Sequence, residues 1–336
     1  MNSLDILCYH VGRAFLVCKY IIKKHMKWLR KIKSYLHLQA NIVESVNGYS
    51  RVQSARIVNE VRFRFKYEEL TSKALNDTEM GVSSRKYTNH DIIVSLTTHG
   101  KRLYDVHTAI ESIMQGSVKP NRIILWISND YKDVVLPLTL QNQLKRGLEI
   151  EFCKDRRSYT KLVYALQKYP DASIVTIDDD IIYPHDLLEN LVNAHLETPN
   201  CICANWIRVY PDNLKHKYVS LLKWEQLFDT QEISERFFFE GFAGVLYPPH
   251  SLDKEVLNDE VYLDICKYAD DVWFNAMAIK AKTKVKYAWK HYTIGSFIHN
   301  EDCQCVALQN LNNKGDYLND IQIKNVFTKY NLWESI

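Results

Sequence analysis

The sequence predicts an α/β fold in which helices flank a mostly parallel central sheet, and two observations predict it. From residue 91 onward, short segments rich in β-branched residues alternate with segments of helical periodicity. Polar residues follow directly after several of these apolar segments. Such alternation is typical of parallel strands that are joined by right-handed helical crossovers.

The predicted elements follow one another in a regular order. Strands are predicted at 92–96, 122–127, 148–152 and 172–177, and helices at 106–114, 138–145 and 160–168. In sheets of this kind, ligands bind beyond the carboxyl ends of the strands. The candidate segments for a functional site are therefore 97–100, 128–130, 154–159 and 178–180.

Length and composition are those of an ordinary globular protein. The 336 residues suffice for one large α/β domain or two smaller ones, with 46% hydrophobic and 25% charged residues. No signal peptide and no run of about 18 apolar residues is recognisable. The eight cysteines, two pairs of which have C-x-C spacing, do not match common zinc patterns. We expect reduced thiols in a cytoplasmic protein.

The N-terminal segment is strongly basic. The first 35 residues hold eight lysines and arginines against one acid, Asp5, although the net charge of the chain is only +3. Apolar residues recur along one face of a predicted helix at 12–38. This helix is expected either to bind an anionic membrane surface, which would place the protein on the cytoplasmic face of the membrane, or to pack on protein. No nucleic-acid partner is expected for the mildly acidic remainder.

Three adjacent aspartates follow the fourth predicted strand. Asp178, Asp179 and Asp180 would repel one another unless a cation neutralised them. If the chain stayed extended, Asp178 and Asp180 would point to the same side and Asp179 away from them. Their oxygens suit Mn²⁺ or Mg²⁺. A solvated loop is the alternative, but the apolar residues 181–184 follow at once.

This strand–aspartate–apolar arrangement resembles the GT-A glycosyltransferases, in particular bacterial enzymes of capsule and lipopolysaccharide-type glycan assembly. The resemblance spans roughly residues 91–302. It implies a D-x-D motif that binds a divalent cation and, through it, the diphosphate of a nucleotide sugar. From the resemblance together with the patterns upstream, we expect four segments: a basic helix at 1–40, a helical or linker segment at 41–90, a catalytic domain at 91–310 and a helical tail at 311–336.

The resemblance assigns donor-binding roles to several residues near the strand ends. Thr97 and Thr98 would contact the base or ribose, and Arg102 would face phosphate; a simple turn at Gly100 is the alternative. Asp155 and Lys161 flank the start of a helix whose N-terminal dipole favours an anion. Lys161 would approach the donor diphosphate, unless it is a solvated helix lysine. Asp178 and Asp179 complete the expected donor site.

Downstream motifs supply the expected acceptor site and base. Glu240, Gly241, Phe242 and Gly244 match an acceptor segment in which glycine allows a close approach to the sugar, although the aromatic run is also compatible with a core.

Asp270 and Asp271 stand where inverting enzymes of this type carry an acidic pair, here with Asp where many relatives have Glu first. Asp271 is the candidate base and Asp270 supports it. First-turn helix acids are the alternative. His299, at the end of a predicted strand over 294–300, is the candidate third metal ligand beside Asp178 and Asp180, with His291 as its rival.

The sequence thus predicts a metal-dependent glycosyltransferase of surface polysaccharide synthesis. It would move a sugar, with inversion, from a nucleoside-diphosphate donor, UDP by resemblance, to a hydroxyl of a glycan or lipid-linked glycan. A metal-dependent phosphotransferase or hydrolase is one alternative, although no P-loop, G-x-S-x-G or H-E-x-x-H pattern supports it. A non-catalytic, membrane-bound scaffold of a glycan assembly complex is the other.

Overall fold

The computed structural model describes most of the chain, namely residues 53–54, 56–212, 214–216, 218–288, 292–300 and 318–336. The chain divides into two compact units, 1–58 and 59–336. Of the first unit, residues 53–54 and 56–58 are described, and they are helical. The basic helix predicted at 12–38 lies outside the described residues. Within the described ranges, no helix combines the length and apolar character needed to cross a bilayer.

The second unit alternates strands and helices. Its strands are β1 (Ile92–Thr98), β2 (Arg122–Ser128), β3 (Leu148–Cys153), β4 (Ser173–Thr176), β5 (Ile181–Ile182), β6 (Ile202–Ala204), β7 (Ile207–Val209), β8 (Gln226–Leu227), β9 (Ile233–Ser234), β10 (Phe237–Phe239), β11 (Val245–Tyr247), β12 (Val285–Tyr287) and β13 (Ile298–His299). Its helices are α1 (residues 59–76), α2 (His107–Met114), α3 (Leu138–Lys145), α4 (Thr160–Lys168), α5 (Leu187–Glu197), α6 (Asp259–Ile265), α7 (Asp270–Lys280) and α8 (Leu318–Tyr330).

A central sheet has the strand order β3-β2-β1-β4-β11-β6-β12-β9. Six of these strands run in one direction, while β11 and β9 run against their neighbours. The predicted α/β fold with a mostly parallel sheet and flanking helices is therefore confirmed. Strands β10, β7 and β8 form a smaller sheet, and β13 pairs with β5.

Strand β1 is buried on both faces of the sheet. Ile92, Val94 and Leu96 belong to one apolar cluster, whereas Ile93 belongs to the other. This division follows from the alternation of side chains along an extended strand. Because helices cover such a strand on both sides, its sequence is a continuous run of apolar residues. Runs of this kind predicted the strands β1 to β4.

The compact unit that holds the sheet begins before residue 91. Helix α1 belongs to the same unit as the sheet. Its residues Phe63 and Leu70 are buried and form an apolar cluster with Ile182 and Ile298. Because these side chains recur at helical spacing, residues 59–76 of the predicted helical or linker segment form a packed helix. Residues 77–90 contain no helix or strand.

Candidate active site

The three aspartates stand at the carboxyl edge of the sheet, beyond the end of the strand. Strand β4 ends at Thr176, and the chain turns at Asp179 and Asp180. The alternation of an extended strand therefore does not extend to these residues. Asp179 and Asp180 contact one guanidinium, whereas Asp178 contacts a different cation, and the pairing of Asp178 with Asp180 around a metal stays a prediction.

Arg102 joins the second and third aspartates. Its Nη1 lies 2.8 Å from Asp179 Oδ1 and 3.4 Å from Asp180 Oδ2. Thr98 Oγ1 donates to Asp179 Oδ2 at 2.6 Å, and Asp179 is only 6% exposed. Burial, with the neighbouring charges of Asp179 and Asp178, raises the pKa of Asp180 to about 7, although Arg102 opposes the rise. A buried carboxyl group here thus carries a raised pKa even beside a guanidinium.

Lys161, in the first turn of α4, joins the first aspartate to the acidic pair of α7. Its Nζ lies 2.7 Å from Asp178 Oδ1 and 3.2 Å from Asp270 Oδ2; we call these two contacts the lysine bridge. Lys161 is 5% exposed. Burial alone would lower its pKa, but Asp178, Asp270 and Asp271 hold that pKa well above its usual value. The lysine is therefore a fixed cation and not a solvated helix residue.

Asp271 is held by the backbone of the predicted acceptor segment. The Gly241 N–H lies 3.1 Å from both carboxylate oxygens. A Cβ at Gly241 would lie 2.6 Å from Asp271 Oδ1 and 3.4 Å from Lys161 Nζ. Glycine is therefore required here for the approach of this carboxylate to the backbone. Burial and the neighbouring Asp270 raise the pKa of Asp271 well above its usual value, against Lys161 and the Gly241 N–H.

Tyr183 connects the aspartates to the same segment from the other side. Its hydroxyl accepts the Asp178 N–H at 2.8 Å and donates to the Phe242 carbonyl at 2.9 Å. Together with the bond from Gly241 to Asp271 and the lysine bridge, these contacts close a ring. Sequence reasoning missed Tyr183 because it treated residues 181–184 as simply apolar. The phenol placed three residues after the aspartates was the available signal.

The Glu240 side chain forms an ion pair with Arg208. Arg208, on β7, contacts Glu240 with Nε and donates from Nη1 to the Trp224 carbonyl at 3.1 Å. Burial raises the pKa of Glu240, and the guanidinium of Arg208 opposes that rise. The sequence did not indicate Arg208, because it reaches Glu240 through the antiparallel pairing of β7 with β10, which joins residues distant in the chain.

Phe242 lies in an aromatic group beside this pair. Its ring centroid lies 5.2 Å from that of Trp206 and 5.6 Å from that of Phe297, both in edge contacts. Gly244 has a φ of +87°, a conformation that residues with a Cβ rarely adopt. The acceptor segment is thus a fixed turn, and its binding role stays a prediction.

His299 lies next to the aspartate turn. It pairs with Ile181 in the two-stranded sheet of β13 and β5, and the following Asn300 N–H donates to the Asp180 carbonyl at 2.9 Å. The strand predicted at 294–300 is shorter, covering Ile298–His299 after a 3-10 turn. Metal ligation by His299 stays a prediction. The rival His291 lies outside the described residues.

Thr97 and Asp155, which are predicted to bind the sugar donor, make their described hydrogen bonds away from the aspartates. Thr97 Oγ1 donates to the Trp126 carbonyl at 3.0 Å. The exposed Asp155 accepts the Arg157 N–H at 2.6 Å and so closes a local turn. No described hydrogen bond or ion pair joins either residue to the aspartates.

The carboxylates fit a divalent cation by their chemistry more than by their present arrangement. Among the described residues, no group of three or more His, Cys, Asp or Glu side chains already surrounds one point as a metal site would. Yet the described contacts join four aspartates to two cations, with Asp271 a fifth acid beside Lys161. The Asp178 side chain is 30% exposed and therefore accessible. Hard divalent ions prefer such oxygen donors.

Comparisons with known proteins give distant structural likenesses. No protein-family model matches the sequence, and neither does any curated protein. A mannosyltransferase from Pyrobaculum calidifontis, solved with GDP-Man and Mn²⁺, is 14% identical at a TM-score of 0.39, covering 70% of this chain and 65% of its own. Residues 1–349 of S. aureus TarS are 12% identical at a TM-score of 0.38, covering 72% of this chain and 73% of TarS 1–349. A CMP:2-keto-3-deoxy-manno-octonic acid synthetase complexed with CTP is 9% identical at a TM-score of 0.40, covering 68% of this chain and 100% of the synthetase. The function proposed below rests on the site residues.

Proposed function

We propose that this chain is a metal-dependent glycosyltransferase that moves a sugar from a nucleoside-diphosphate donor to an acceptor hydroxyl with inversion. One observation supports the proposal: the ring of contacts joins the aspartate cluster, Asp178 to Asp180, through Lys161 to the acidic pair of α7, in which a backbone N–H holds Asp271. Diphosphate binding and proton removal are the two tasks that this transfer requires.

The donor half of the site comprises the aspartates and two cations. Asp178 and Asp180, with His299 as the third ligand, would hold Mn²⁺ or Mg²⁺. When bound, the cation offsets charge on the leaving diphosphate. Lys161 and Arg102 supply fixed positive charge on either side of the cluster.

Further donor contacts complete this half of the site. Asp179 would face the ribose or the donor sugar, and Thr97 and Thr98 would face the base or ribose, with Asp155 at the rim. In the described structure Asp179, Thr97 and Asp155 already bond to protein groups. These roles therefore require their side chains to exchange partners when the donor binds.

The acceptor half supplies the base. The acceptor hydroxyl oxygen attacks the anomeric carbon as its bond to the diphosphate breaks; the nucleoside diphosphate leaves with the bonding electron pair. Asp271 takes the hydroxyl proton, and a raised pKa makes its carboxylate a stronger base. The Gly241 N–H fixes the orientation of this carboxylate, and Asp270 is fixed through Lys161. Glu240, Phe242 and Gly244 shape the acceptor side.

The partner classes follow from the same resemblance. A UDP-sugar is the proposed donor, and a glycan or lipid-linked glycan of surface polysaccharide synthesis is the proposed acceptor. The protein would act in the cytoplasm or on the cytoplasmic face of the membrane, where the basic segment 12–38 would contact anionic lipid.

The test is a panel of nucleotide sugars and acceptors with Mn²⁺, in which release of nucleoside diphosphate is measured. Release that requires both metal and acceptor, and that is lost in Asp178→Asn with Asp180→Asn, is the expected result. Asp171→Asn, an exposed aspartate at the opposite end of β4, is the matched control. Equal release without acceptor would instead indicate a phosphohydrolase. Unchanged glycan synthesis in cells carrying the double variant would indicate a scaffold.

A further inference from the structure

The Arg102 guanidinium contacts the aspartate cluster where a divalent cation would also have to bind. One guanidinium nitrogen, Nη1, contacts both Asp179 and Asp180, and the Arg102 side chain is 15% exposed. Asp180 is also a proposed metal ligand. A cation bound by the Asp180 carboxylate would stand beside a fixed positive charge, and like charges at this spacing repel strongly in a partly buried site.

The backbone that carries Arg102 is anchored, so its side chain is the part that can move. Just before it, the Gly100 N–H donates to the Tyr131 hydroxyl at 2.8 Å. The Arg102 carbonyl accepts from Asp105 and Val106 at 3.0 and 2.9 Å. A guanidinium on a long, rotatable stem can therefore leave the aspartates without any change in the 3-10 turn Gly100–Tyr104.

Both aspartates are held by contacts other than those with Arg102. Thr98 also donates to Asp179. The Asp180 carbonyl accepts the Asn300 N–H, which fixes the backbone of the turn. Departure of Arg102 would therefore leave the turn in place.

We propose that Arg102 is an internal counter-ion that competes with a divalent cation for the aspartate cluster. The metal alone therefore binds weakly. A nucleoside diphosphate offers the guanidinium a new anionic partner, since planar guanidinium groups match phosphate oxygens well. Metal and nucleotide then bind cooperatively through the displacement of one side chain. This second step rests on the proposed function, whereas the competition itself does not.

The test measures Mn²⁺ binding to the full chain without nucleotide, by the electron paramagnetic resonance signal of free Mn²⁺. Arg102→Gln is expected to bind Mn²⁺ about ten-fold more tightly than the wild type, within the range typical of coupling between sites. Arg122→Gln, which removes an ion pair with Glu149 at the opposite edge of the sheet, should bind as the wild type does. Equal or weaker binding by Arg102→Gln overturns the proposal.

A second variant covers the case in which Arg102→Gln does not fold. Arg102→Met removes the charge but keeps a flexible, unbranched side chain in the same place. Mn²⁺ should bind it about ten-fold more tightly than the wild type, and unchanged affinity contradicts the counter-ion role.

Repeating the titration with UDP separates the two proposals. In the wild type, UDP should tighten Mn²⁺ binding, and this enhancement should shrink in Arg102→Gln. If Arg102→Gln binds Mn²⁺ more tightly but neither UDP nor other nucleoside diphosphates change any affinity, the counter-ion role stands and the nucleotide-sugar function fails. If UDP tightens Mn²⁺ binding equally in both proteins, the counter-ion role fails and donor binding stands.

Discussion

The aspartate cluster and a second charged cluster, in the helical layer of the same unit, differ in how accessible their carboxylates are. The second, which we call the helix cluster, comprises Glu111, Gln115, Gln143 and Arg146. Arg146 Nη1 lies 2.9 Å from both carboxylate oxygens of Glu111, which is 0% exposed. The two glutamine side chains also donate to Glu111, at 2.8 and 2.9 Å, and Arg146 Nη2 lies 3.5 Å from Asp77 Oδ2. Both oxygens of the buried Glu111 are therefore bonded within the fold.

The aspartate cluster is more accessible. Among the described contacts, its three carboxylates meet two cations, Arg102 and Lys161, and the Asp178 side chain is 30% exposed. A buried carboxylate whose oxygens are all bonded has nothing to offer a ligand. An accessible carboxylate can bind an incoming cation, and groups with perturbed pKa values concentrate at functional sites.

The largest expected effect is at the acceptor half of the aspartate site. Asp271→Asn keeps the size of the side chain and an oxygen for the Gly241 N–H, but it cannot take a proton. Transfer should fall about 10²- to 10⁴-fold, the usual contribution of a positioned base. Affinity for UDP with Mn²⁺ should change little. Steady-state transfer and calorimetry check this, with Asp171→Asn as control; parallel loss of both readouts would refute the role as base.

The helix cluster should respond in stability. Arg146→Met leaves Glu111 buried without its cation, which costs about 3–5 kcal/mol of unfolding free energy. Urea unfolding measures the loss. The matched control is Lys168→Met, which removes an exposed pair with Glu151 and should cost less than about 1 kcal/mol. Similar losses in the two variants would mean that burial does not distinguish these ion pairs.

A substitution at Gly241 should lower both the stability of the protein and the rate of transfer. An alanine Cβ would lie 2.6 Å from Asp271 Oδ1, so carboxylate or backbone must shift. Gly241→Ala should lower stability by about 1–3 kcal/mol, the usual cost of overpacking, and lower transfer as well. Gly295→Ala is the control, since its nearest atoms lie at 3.6 Å. Thermal unfolding and transfer assays decide; a fully active Gly241→Ala would show that this contact does not matter.

The smallest effect is a pH dependence beside the helix cluster. His107 is buried, with ring nitrogens 2.8 Å from Thr71 Oγ1 and 3.0 Å from the Tyr104 carbonyl. Burial lowers its pKa, although Asp105 and Glu111 act in the opposite direction. The pKa of His107 in the folded protein therefore lies below its value of about 6.5 in the unfolded chain. Below that pH the unfolded chain binds the proton more readily, so the free energy of unfolding falls by at most about 1.4 kcal/mol per pH unit. Well above that pH, His107 is neutral in both states and this loss is absent.

Urea unfolding between pH 5 and 7.5 measures that slope. His107→Gln should reduce it by up to one proton per molecule, whereas Asp171→Asn should leave its acid limb below pH 6.5 unchanged. If the free energy of unfolding depends on pH equally in His107→Gln and the wild type, His107 has the same pKa in the folded and unfolded states.

Sequence reasoning succeeded for elements whose residues are neighbours in the chain. Strand β1 and helices α3 and α4 follow from local periodicity, and the carboxyl-edge rule brought Thr98 and Asp178 to attention. Arg102 was found by the family resemblance. Sequence reasoning failed where pairing is non-local. Arg208 meets Glu240 only because β7 pairs with β10. Likewise, helix α1 joins the sheet unit through contacts that no local pattern encodes.

The contacts of the aspartates escaped sequence reasoning for a different reason. The alternation rule holds only while the chain stays extended, and β4 ends two residues before Asp178. The sequence also did not show that Arg102 and Lys161 pair with the aspartates, because the one follows β1 and the other lies in the first turn of α4. Residue types drew attention to these side chains, whereas their contacts needed the fold.

The most direct test of the central claim is the unfolding temperature of the wild type with Mn²⁺, with UDP, and with both together. The accessible aspartate cluster, as a metal–diphosphate site, predicts that the combination stabilises the protein by more than the two separate effects. At about 100 times the dissociation constant, binding should add about 2.7 kcal/mol. Asp178→Asn with Asp180→Asn should abolish this gain. An equal gain in the double variant, or none with any nucleoside diphosphate, would contradict a metal–diphosphate site at these aspartates.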